Sequence, residues 1–170
     1  HLAGTDRFGR DMLSRILVGL KTSVTSTLIL VVVVTVTGSI LGLICGYFGG
    51  IADTVIMRIS DICLAFPGLV FAMAIAALLN GGISNAVLAL ALISWPKYAR
   101  IARSQTLTVK NTNYMAASQL AGCTAAQMIW RHILPNIAGP ILVTSMLDIG
   151  TMMMELAGLS FLGLGAQPPT

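Results

Sequence analysis

Two acidic residues and four methionines lie inside one apolar segment of the chain, residues 137–159. Asp148 and Glu155 are seven residues apart, so on a helix they would share one face, with Met152 between them. Because ionised carboxylates are costly in hydrocarbon, such residues are functional candidates by default. We predict that Asp148, Met152 and Glu155 line a translocation pathway, in which the carboxylates attract a cation or a peptide amine. The alternative is that Asp148 pairs with a neighbouring helix while Glu155 lies near the membrane interface.

The other chemistry-bearing residues form no recognisable reactive or metal-binding set. Residues 152–154 are three methionines that a metal could use, yet methionines in membrane helices usually serve packing, so we predict no metal site. The sequence has no G-x-x-x-x-G-K-[ST] phosphate loop and no H-E-x-x-H motif, and we interpret His132 as a surface or packing residue. Its three cysteines form no C-x-x-C pair. We therefore expect no catalytic residue and no cofactor in this chain.

Composition indicates what kind of elements must position these residues. Of the 170 residues, 56% are hydrophobic and 9% are charged, against about 25% charged in soluble domains. A soluble protein with so few charged residues could not cover its surface with them, and we therefore expect the chain to face lipid. The formal net charge of +4 is small and gives no support to nucleic-acid binding. We predict a single all-α membrane domain over residues 1–170, which is the inner part of a longer protein and is incomplete at both ends.

Apolar runs divide the chain into four predicted membrane spans, each near the roughly 20 residues that a hydrocarbon core requires. Gly38, Gly42 and Gly46 occupy every fourth position of the first span and predict a face on which another helix packs closely. Pro67 should kink the second span, because it removes a helical hydrogen bond. The spans are predicted at residues 22–48, 62–79, 84–101 and 137–159.

Charged residues outside these runs predict local ion pairs and a topology. Asp11 and Arg15 are four residues apart, and Arg58 and Asp61 are three apart, so each pair can meet on a helix. With four spans, one membrane face carries four Lys and Arg residues, and the face that holds residues 97–136 carries six. This excess of positive charge places residues 97–136 in the cytoplasm.

The longest polar interruption is residues 113–136, called here the 113–136 loop, and its pattern is that of two short helices joined by a hinge. Residues 114–121 are rich in good helix formers, and Gly122 can adopt the left-handed backbone that ends a helix. Thr124 begins a capping-box pattern, T-x-x-Q, for a second helix. Pro135 should end that second helix, because proline cannot donate the next backbone hydrogen bond.

The 113–136 loop resembles the coupling loop of the permease subunits of ABC-type importers. The family pattern is Glu-Ala-Ala, then Gly, then an apolar residue followed by Leu-Pro. Ala117, Gly122 and the Ile-Leu-Pro ending at residues 133–135 match this pattern. Ala116 stands where the acidic residue is usual, and Ser118 replaces the second alanine.

Three further segments resemble signatures of the dipeptide, oligopeptide and nickel branch of that family: residues 4–15 (GTDRFGRDMLSR), 57–67 (MRISDICLAFP) and 157–165 (AGLSFLGLG). The resemblance implies an all-α, polytopic type I ABC importer transmembrane domain in the inner membrane, with more spans than the four predicted here. It also implies partners, namely a second permease subunit in a heterodimer, two ATP-binding subunits and an extracytoplasmic substrate-binding protein. ATP and magnesium would bind on the ATP-binding subunits and not on this chain.

The same resemblance implies a mechanism in which the 113–136 loop docks in a groove on an ATPase subunit and drives alternating access of the spans. The residues expected to couple to the ATPase are Tyr114, Ala116, Ala117, Leu120, Gly122, Arg131 and Pro135. Residues 115–122 and 147–153 look closer to nickel permeases of the C type, so nickel or nickel chelates are slightly favoured over dipeptides and oligopeptides. The alternative function is a structural or enzymatic membrane subunit unrelated to ATP-driven transport.

Overall fold

The computed structural model describes Gly4, Gly9 and residues 11–165, and within these residues all regular structure is helical. The first half of the described chain contains three helices of very different length, and the second half contains a long helix, a hinged segment and another long helix. In chain order they are α1 (Met12–Phe48), α2 (Gly50–Ala65), α3 (Gly68–Leu78), α4 (Ile83–Lys110), α5 (Asn113–Leu120), α6 (Ala125–Gln127), a π-helix (Met128–Ile133) and α7 (Leu134–Phe161).

Helix α1 has 37 residues and is about 55 Å long, so it extends beyond a hydrocarbon core of about 30 Å. Its start is capped by Asp11, whose carboxylate accepts hydrogen bonds from the backbone N–H of Ser14 at 3.2 Å and from its hydroxyl at 2.7 Å. The helix ends at Gly49, which has φ 66°. The predicted first span is therefore the main part of a longer helix. Within the first signature, residues 5–8 and Arg10 lie outside the described residues, as do residues 166–170 at the other end of the chain.

The glycine stripe of α1 packs directly against α4. A Cβ atom built on Gly38 would lie 2.6 Å from the carbonyl oxygen of Trp95, and one on Gly42 would overlap the carbonyl oxygen of Ala99. Gly46 continues the same contact one turn further along α1. Any side chain on this stripe would force the two backbones apart. The predicted packing face is confirmed, and α4 is the helix that it contacts.

Pro67 breaks the second apolar segment more sharply than a kink. Helices α2 and α3 meet at an angle of 95°, and Phe66 between them is extended (φ −100°, ψ 148°), which is the conformation that a following proline favours. Residues 62–79 thus form parts of two helices and not one kinked helix, and their assignment as one membrane span stays a prediction. The chain is already helical from Gly50, and it changes direction at residues 66–67.

Helices α4 and α7, each with 28 residues, pack against each other and against α1, which places the core between these three helices. Pro96 lies within α4 without ending it, and α4 continues beyond the predicted span to Lys110, immediately before the 113–136 loop. The Asn80-Gly81-Gly82 turn between α3 and α4 has φ values of 64°, 69° and 96°.

Within the described residues, two helices are long and apolar enough to cross a membrane, residues 12–48 and 125–161, and α2 with α3 would make a third if the bent pair is one span. The apolar part of α4 is shorter, because Lys97, Arg100 and Arg103 follow it within the same helix. The four-span arrangement thus stays a prediction, whereas the all-helical membrane architecture is confirmed.

Candidate functional site

The 113–136 loop begins with helix α5, which ends in a glycine hinge. The backbone N–H of Ala121 donates to the carbonyl oxygen of Ala117, and that of Gly122 donates to the carbonyl oxygen of Gln119, each at 3.0 Å. Gly122 has φ 84°. A positive φ of this size costs an L-residue other than glycine or asparagine roughly 1–2 kcal/mol. A Cβ atom at Gly122 would meet no atom within 4 Å, so backbone conformation and not space requires glycine here.

A capping box starts the second limb of the loop, as predicted. The backbone N–H of Thr124 donates to Gln127 Oε1 at 2.9 Å, and the backbone N–H of Gln127 donates to Thr124 Oγ1 at 3.4 Å. These two bonds satisfy N–H groups that the first turn of a helix leaves without partners. The hinge between α5 and α6 is therefore fixed by local chemistry on both sides.

The prediction that Pro135 ends the second helix is wrong. Helix α6 passes into the π-helix and then into α7, and Pro135 occupies the first turn of α7. In the π-helix the hydrogen bonds reach five residues back, as in the bond from Leu134 N–H to the carbonyl oxygen of Ile129. We attribute the continuity to this wider turn, which reduces the clash between the proline ring and the preceding carbonyl group.

The residues expected to couple to an ATPase are all exposed on this loop, namely Tyr114, Ala116, Ala117, Leu120, Gly122, Arg131 and Pro135. Leu120 is 91% exposed and so presents an apolar side chain at the tip of α5. Tyr114 also joins the two limbs, since its hydroxyl oxygen accepts a hydrogen bond from Asn136 Nδ2 at 3.1 Å. The buried anchors beneath this surface are Met115 and Met128. The sequence shows Met128 among apolar residues at helical spacing, whereas Met115 was not predicted as an anchor.

The residues predicted to line a translocation pathway lie at a cavity of about 190 Å³ between the bend of α2 and α3 and helices α4 and α7. Asp148, Met152 and Glu155 all line it, so the structure brings the three predicted residues together. Lys97 lines it as well, and sequence reasoning did not include that residue. Among the described residues, no three His, Cys, Asp or Glu side chains come together as metal ligands.

Asp148 is held by two side chains of α4. Lys97 Nζ donates to its carboxylate oxygens at 2.6 and 2.7 Å, and the hydroxyl group of Tyr98 donates to Oδ2 at 2.9 Å. The Asp148 side chain is 10% exposed and that of Lys97 is 50% exposed. Asp148 therefore both lines the cavity and pairs with a neighbouring helix, which were the two interpretations of its sequence position.

Two further ion pairs join α2 to α4. Arg103 donates to both carboxylate oxygens of Asp53, from Nε at 2.5 Å and from Nη2 at 2.6 Å. Arg100 pairs with Asp61 and also donates to Ser60 Oγ at 3.2 Å. The predicted pairing of Asp61 within its own helix was wrong, because packing brings a residue of α4 to this carboxylate instead of Arg58. Basic residues at three-residue spacing on α4 were the available signal for this face.

Comparison with known proteins identifies the family. A family model described as "Binding-protein-dependent transport system inner membrane component" matches residues 38–170. The chain is 42% identical to the dipeptide transport system permease protein of Haemophilus influenzae over 170 residues, which are 100% of this chain and 58% of that protein. It is 42% identical to the glutathione transport system permease protein of Pectobacterium atrosepticum over 169 residues, 99% of this chain and 56% of that protein.

A third relative is the di/tripeptide transport system permease protein of Pseudomonas aeruginosa, with 41% identity over 169 residues, 99% of this chain and 56% of that protein. The chain thus spans a little over half the length of the curated relatives that it matches. The family match covers most of the chain, and it agrees with the helices that are long and apolar enough to span a membrane. The chain belongs to the family of binding-protein-dependent transport system inner membrane components.

Proposed function

We propose that this chain is the core of a membrane-spanning permease subunit in an ATP-driven importer of short peptides or peptide-like molecules. The permease works by alternating access, and the 113–136 loop transmits movement from an ATPase subunit to the spans. The chain itself carries no catalytic role. ATP with magnesium binds and is hydrolysed on two separate ATP-binding subunits, a second permease subunit completes the pathway, and an extracytoplasmic binding protein delivers the substrate.

One observation carries this proposal, which is the position of the 113–136 loop between the two helices that line the cavity. Helix α4 enters the loop at Lys110, and the π-helix leads out of it into α7 without interruption. The same two helices are joined at the cavity by the pair of Lys97 and Asp148. A displacement of the docked loop would therefore reach both sides of the cavity through continuous helix.

The surface of the loop suits a docking segment. Leu120 and Trp130 are 91% and 68% exposed, and hydrophobic side chains exposed on a polar segment indicate a protein contact. Gly122 and the capping box fix the angle between α5 and α6, so the surface is presented in one shape. A groove on an ATPase subunit is the partner that this family membership suggests.

The substrate proposal follows the relatives. The proteins compared above are named as permeases for dipeptides, for di- and tripeptides, and for glutathione. We therefore place peptides before nickel for this chain, and import of nickel or nickel chelates stays a prediction from local sequence likeness. The discriminating experiment is ATP-dependent uptake by the reconstituted full-length complex, comparing a labelled dipeptide, labelled glutathione and radioactive nickel. Uptake of nickel alone would contradict the peptide assignment.

The coupling role is tested at Gly122 with two substitutions of different backbone tolerance. Gly122→Trp would add a bulky side chain and left-handed strain at the docking surface, and we expect ATP hydrolysis to continue in an assembled complex while uptake is lost. Gly122→Asn is the control, because asparagine tolerates the left-handed conformation, and it should retain most of the uptake. Normal uptake by the Gly122→Trp complex would refute the docking assignment.

A further inference from the structure

One carboxylate of the cavity is already neutralised, and this changes which residue can meet a substrate. Both oxygens of Asp148 accept hydrogen bonds from Lys97, and one of them also accepts from Tyr98. A carboxylate that is 10% exposed and already accepts these three hydrogen bonds offers little to a passing molecule. Breaking the pair would also leave a buried charge, so Asp148 acts as a tie between α4 and α7.

Glu155 is the carboxylate that remains. It lines the same cavity, it is half-buried, and it accepts no hydrogen bond from any of the residues that the structure describes. Two turns of α7 separate it from Asp148, which places the two carboxylates about 10 Å apart along the helix axis. The other residues around the cavity, apart from Lys97 and Asp148, are uncharged. Because the charges of Lys97 and Asp148 cancel, the net charge of the cavity is the single negative charge of Glu155.

The size and lining of the cavity restrict what this charge can bind. A volume of about 190 Å³ lies below the roughly 300–1,000 Å³ of pockets that enclose a whole small molecule. It suits one end of a molecule, such as an ammonium group with its first carbon atoms. Leu64, Phe66, Ile93 and Met152 supply apolar walls, and the uncharged oxygen-bearing side chains of the lining are Ser94 and Thr151. A metal cation would lose its water without gaining a second free carboxylate. An organic ammonium group fits a single carboxylate among apolar side chains better than a metal ion does.

We propose that Glu155 is a specificity-determining residue, which binds the terminal ammonium group of a peptide during translocation, while Lys97 and Asp148 hold the cavity in shape. The proposal rests on the proposed function, because it assumes that a peptide passes this cavity. It assigns recognition of the amino terminus to the permease in addition to any selection by a binding protein.

The test uses the full-length complex reconstituted with its binding protein, and it measures uptake of a labelled dipeptide and of its N-acetylated counterpart. Glu155→Gln keeps the shape of the side chain and removes its charge. We expect uptake of the free dipeptide at low concentration to fall roughly 10- to 100-fold, as for loss of a charge-assisted hydrogen bond, while the acetylated peptide is unaffected. Glu155→Asp should recover part of the loss. Met154→Leu, next to Glu155 but 79% exposed on another side of α7, is the matched control.

The possible results separate this proposal from the broader one. Loss of free-dipeptide uptake with retained stimulation of ATP hydrolysis, together with recovery in Glu155→Asp, supports recognition by the carboxylate. Uptake by Glu155→Gln equal to wild type, or an equal loss for both peptides, overturns it, since a structural role would not distinguish the amino terminus. Absence of dipeptide uptake by the wild-type complex would overturn the proposed function itself.

Discussion

Removing Lys97 should destabilise the protein more than removing both members of its ion pair. In Lys97→Met the apolar stem is kept and the ammonium group is lost, so Asp148 would retain only the hydrogen bond from Tyr98. Its carboxylate, 10% exposed, would then be an almost uncompensated charge between α4 and α7. In the double variant Lys97→Met with Asp148→Asn, the charge is absent and the amide can still accept the bond from Tyr98.

The burial of the two side chains determines how much stability each variant should lose. Loss of one partner of a fully buried pair costs about 3–5 kcal/mol. Lys97 is 50% exposed, so water screens its attraction and can reach the vacated position, and we reduce the expected cost of Lys97→Met to about 2 kcal/mol. Asp148→Asn loses the charge-assisted hydrogen bonds but leaves Lys97 able to reach solvent, so we expect a loss of stability of about 1 kcal/mol. The double variant should also cost about 1 kcal/mol, which gives a coupling of about 2 kcal/mol between the residues.

A buried thiol allows the stability to be measured within the intact complex. Cys45 is 1% exposed on α1, whereas Cys63 and Cys123 are partly accessible and would be replaced by serine in every variant. Labelling of Cys45 by a thiol-reactive dye during heating reports the unfolding of this subunit. For a domain of this size, a loss of stability of about 2 kcal/mol lowers the midpoint temperature of thermal unfolding by about 4–8 °C.

The order of the unfolding midpoints of the single and double variants shows whether the ion pair acts as a tie. Lys97→Met should unfold at a lower temperature than the double variant, because only the single variant leaves a buried unpaired charge. If the double variant unfolds at a temperature equal to or lower than that of Lys97→Met, the carboxylate of Asp148 is adequately solvated by itself. Lys97 and Asp148 would then not act as a tie between α4 and α7.

Two further predictions concern packing and capping. Gly42→Ala would drive a methyl group into the backbone of α4 at Ala99 and should lower stability by about 1–3 kcal/mol. The control is Gly19→Ala on the same helix, where the new Cβ would meet no atom within 4 Å, and it should be neutral or slightly stabilising. Equal Cys45 labelling midpoints for both variants would contradict the close contact. Thr124→Ala removes one half of the capping box and should destabilise the start of α6 locally by about 1 kcal/mol. Faster hydrogen exchange confined to residues 124–128 would agree with this, and unchanged exchange there would not.

Features set by a few neighbouring residues could be predicted from the sequence. The hinge at Gly122 needs only the left-handed conformation that glycine accepts, and the bonds of the capping box join Thr124 to a residue three positions away. The stripe of glycines on α1 predicted a close helix contact because its periodicity is that of a helix face. In each case the physical cause lies within one or two helical turns of the residue concerned.

Features that depend on packing could not be predicted in this way. Lys97 and Asp148 are 51 residues apart, and nothing in either local sequence indicates that α4 and α7 bring them within 2.6 Å. Asp61 had a plausible cation on its own helix, yet the packing of α2 against α4 gives it Arg100. At Pro135 the local rule was correct about the missing N–H group, but it did not include a π-helix that accommodates the proline ring.

If the 113–136 loop transmits movement as proposed, the placement of the ion pair determines how that movement would reach the cavity. Along α4, Lys97 lies 13 residues before Lys110, and along the other limb Asp148 lies 15 residues after Ile133, so both partners are about 20 Å of helix from the loop. A displacement of the loop as one body would therefore move both partners together and leave their bonds intact. Under the proposed coupling, the cavity would open only if the two limbs moved differently, and the limbs do differ. Helix α4 is held to α2 by Asp53 and Asp61, whereas the α7 limb contains the π-helix, an irregular turn of the kind that often interrupts α-helices at functional sites. The α7 limb is thus the one that should yield, and α4 the one that should stay with its neighbours.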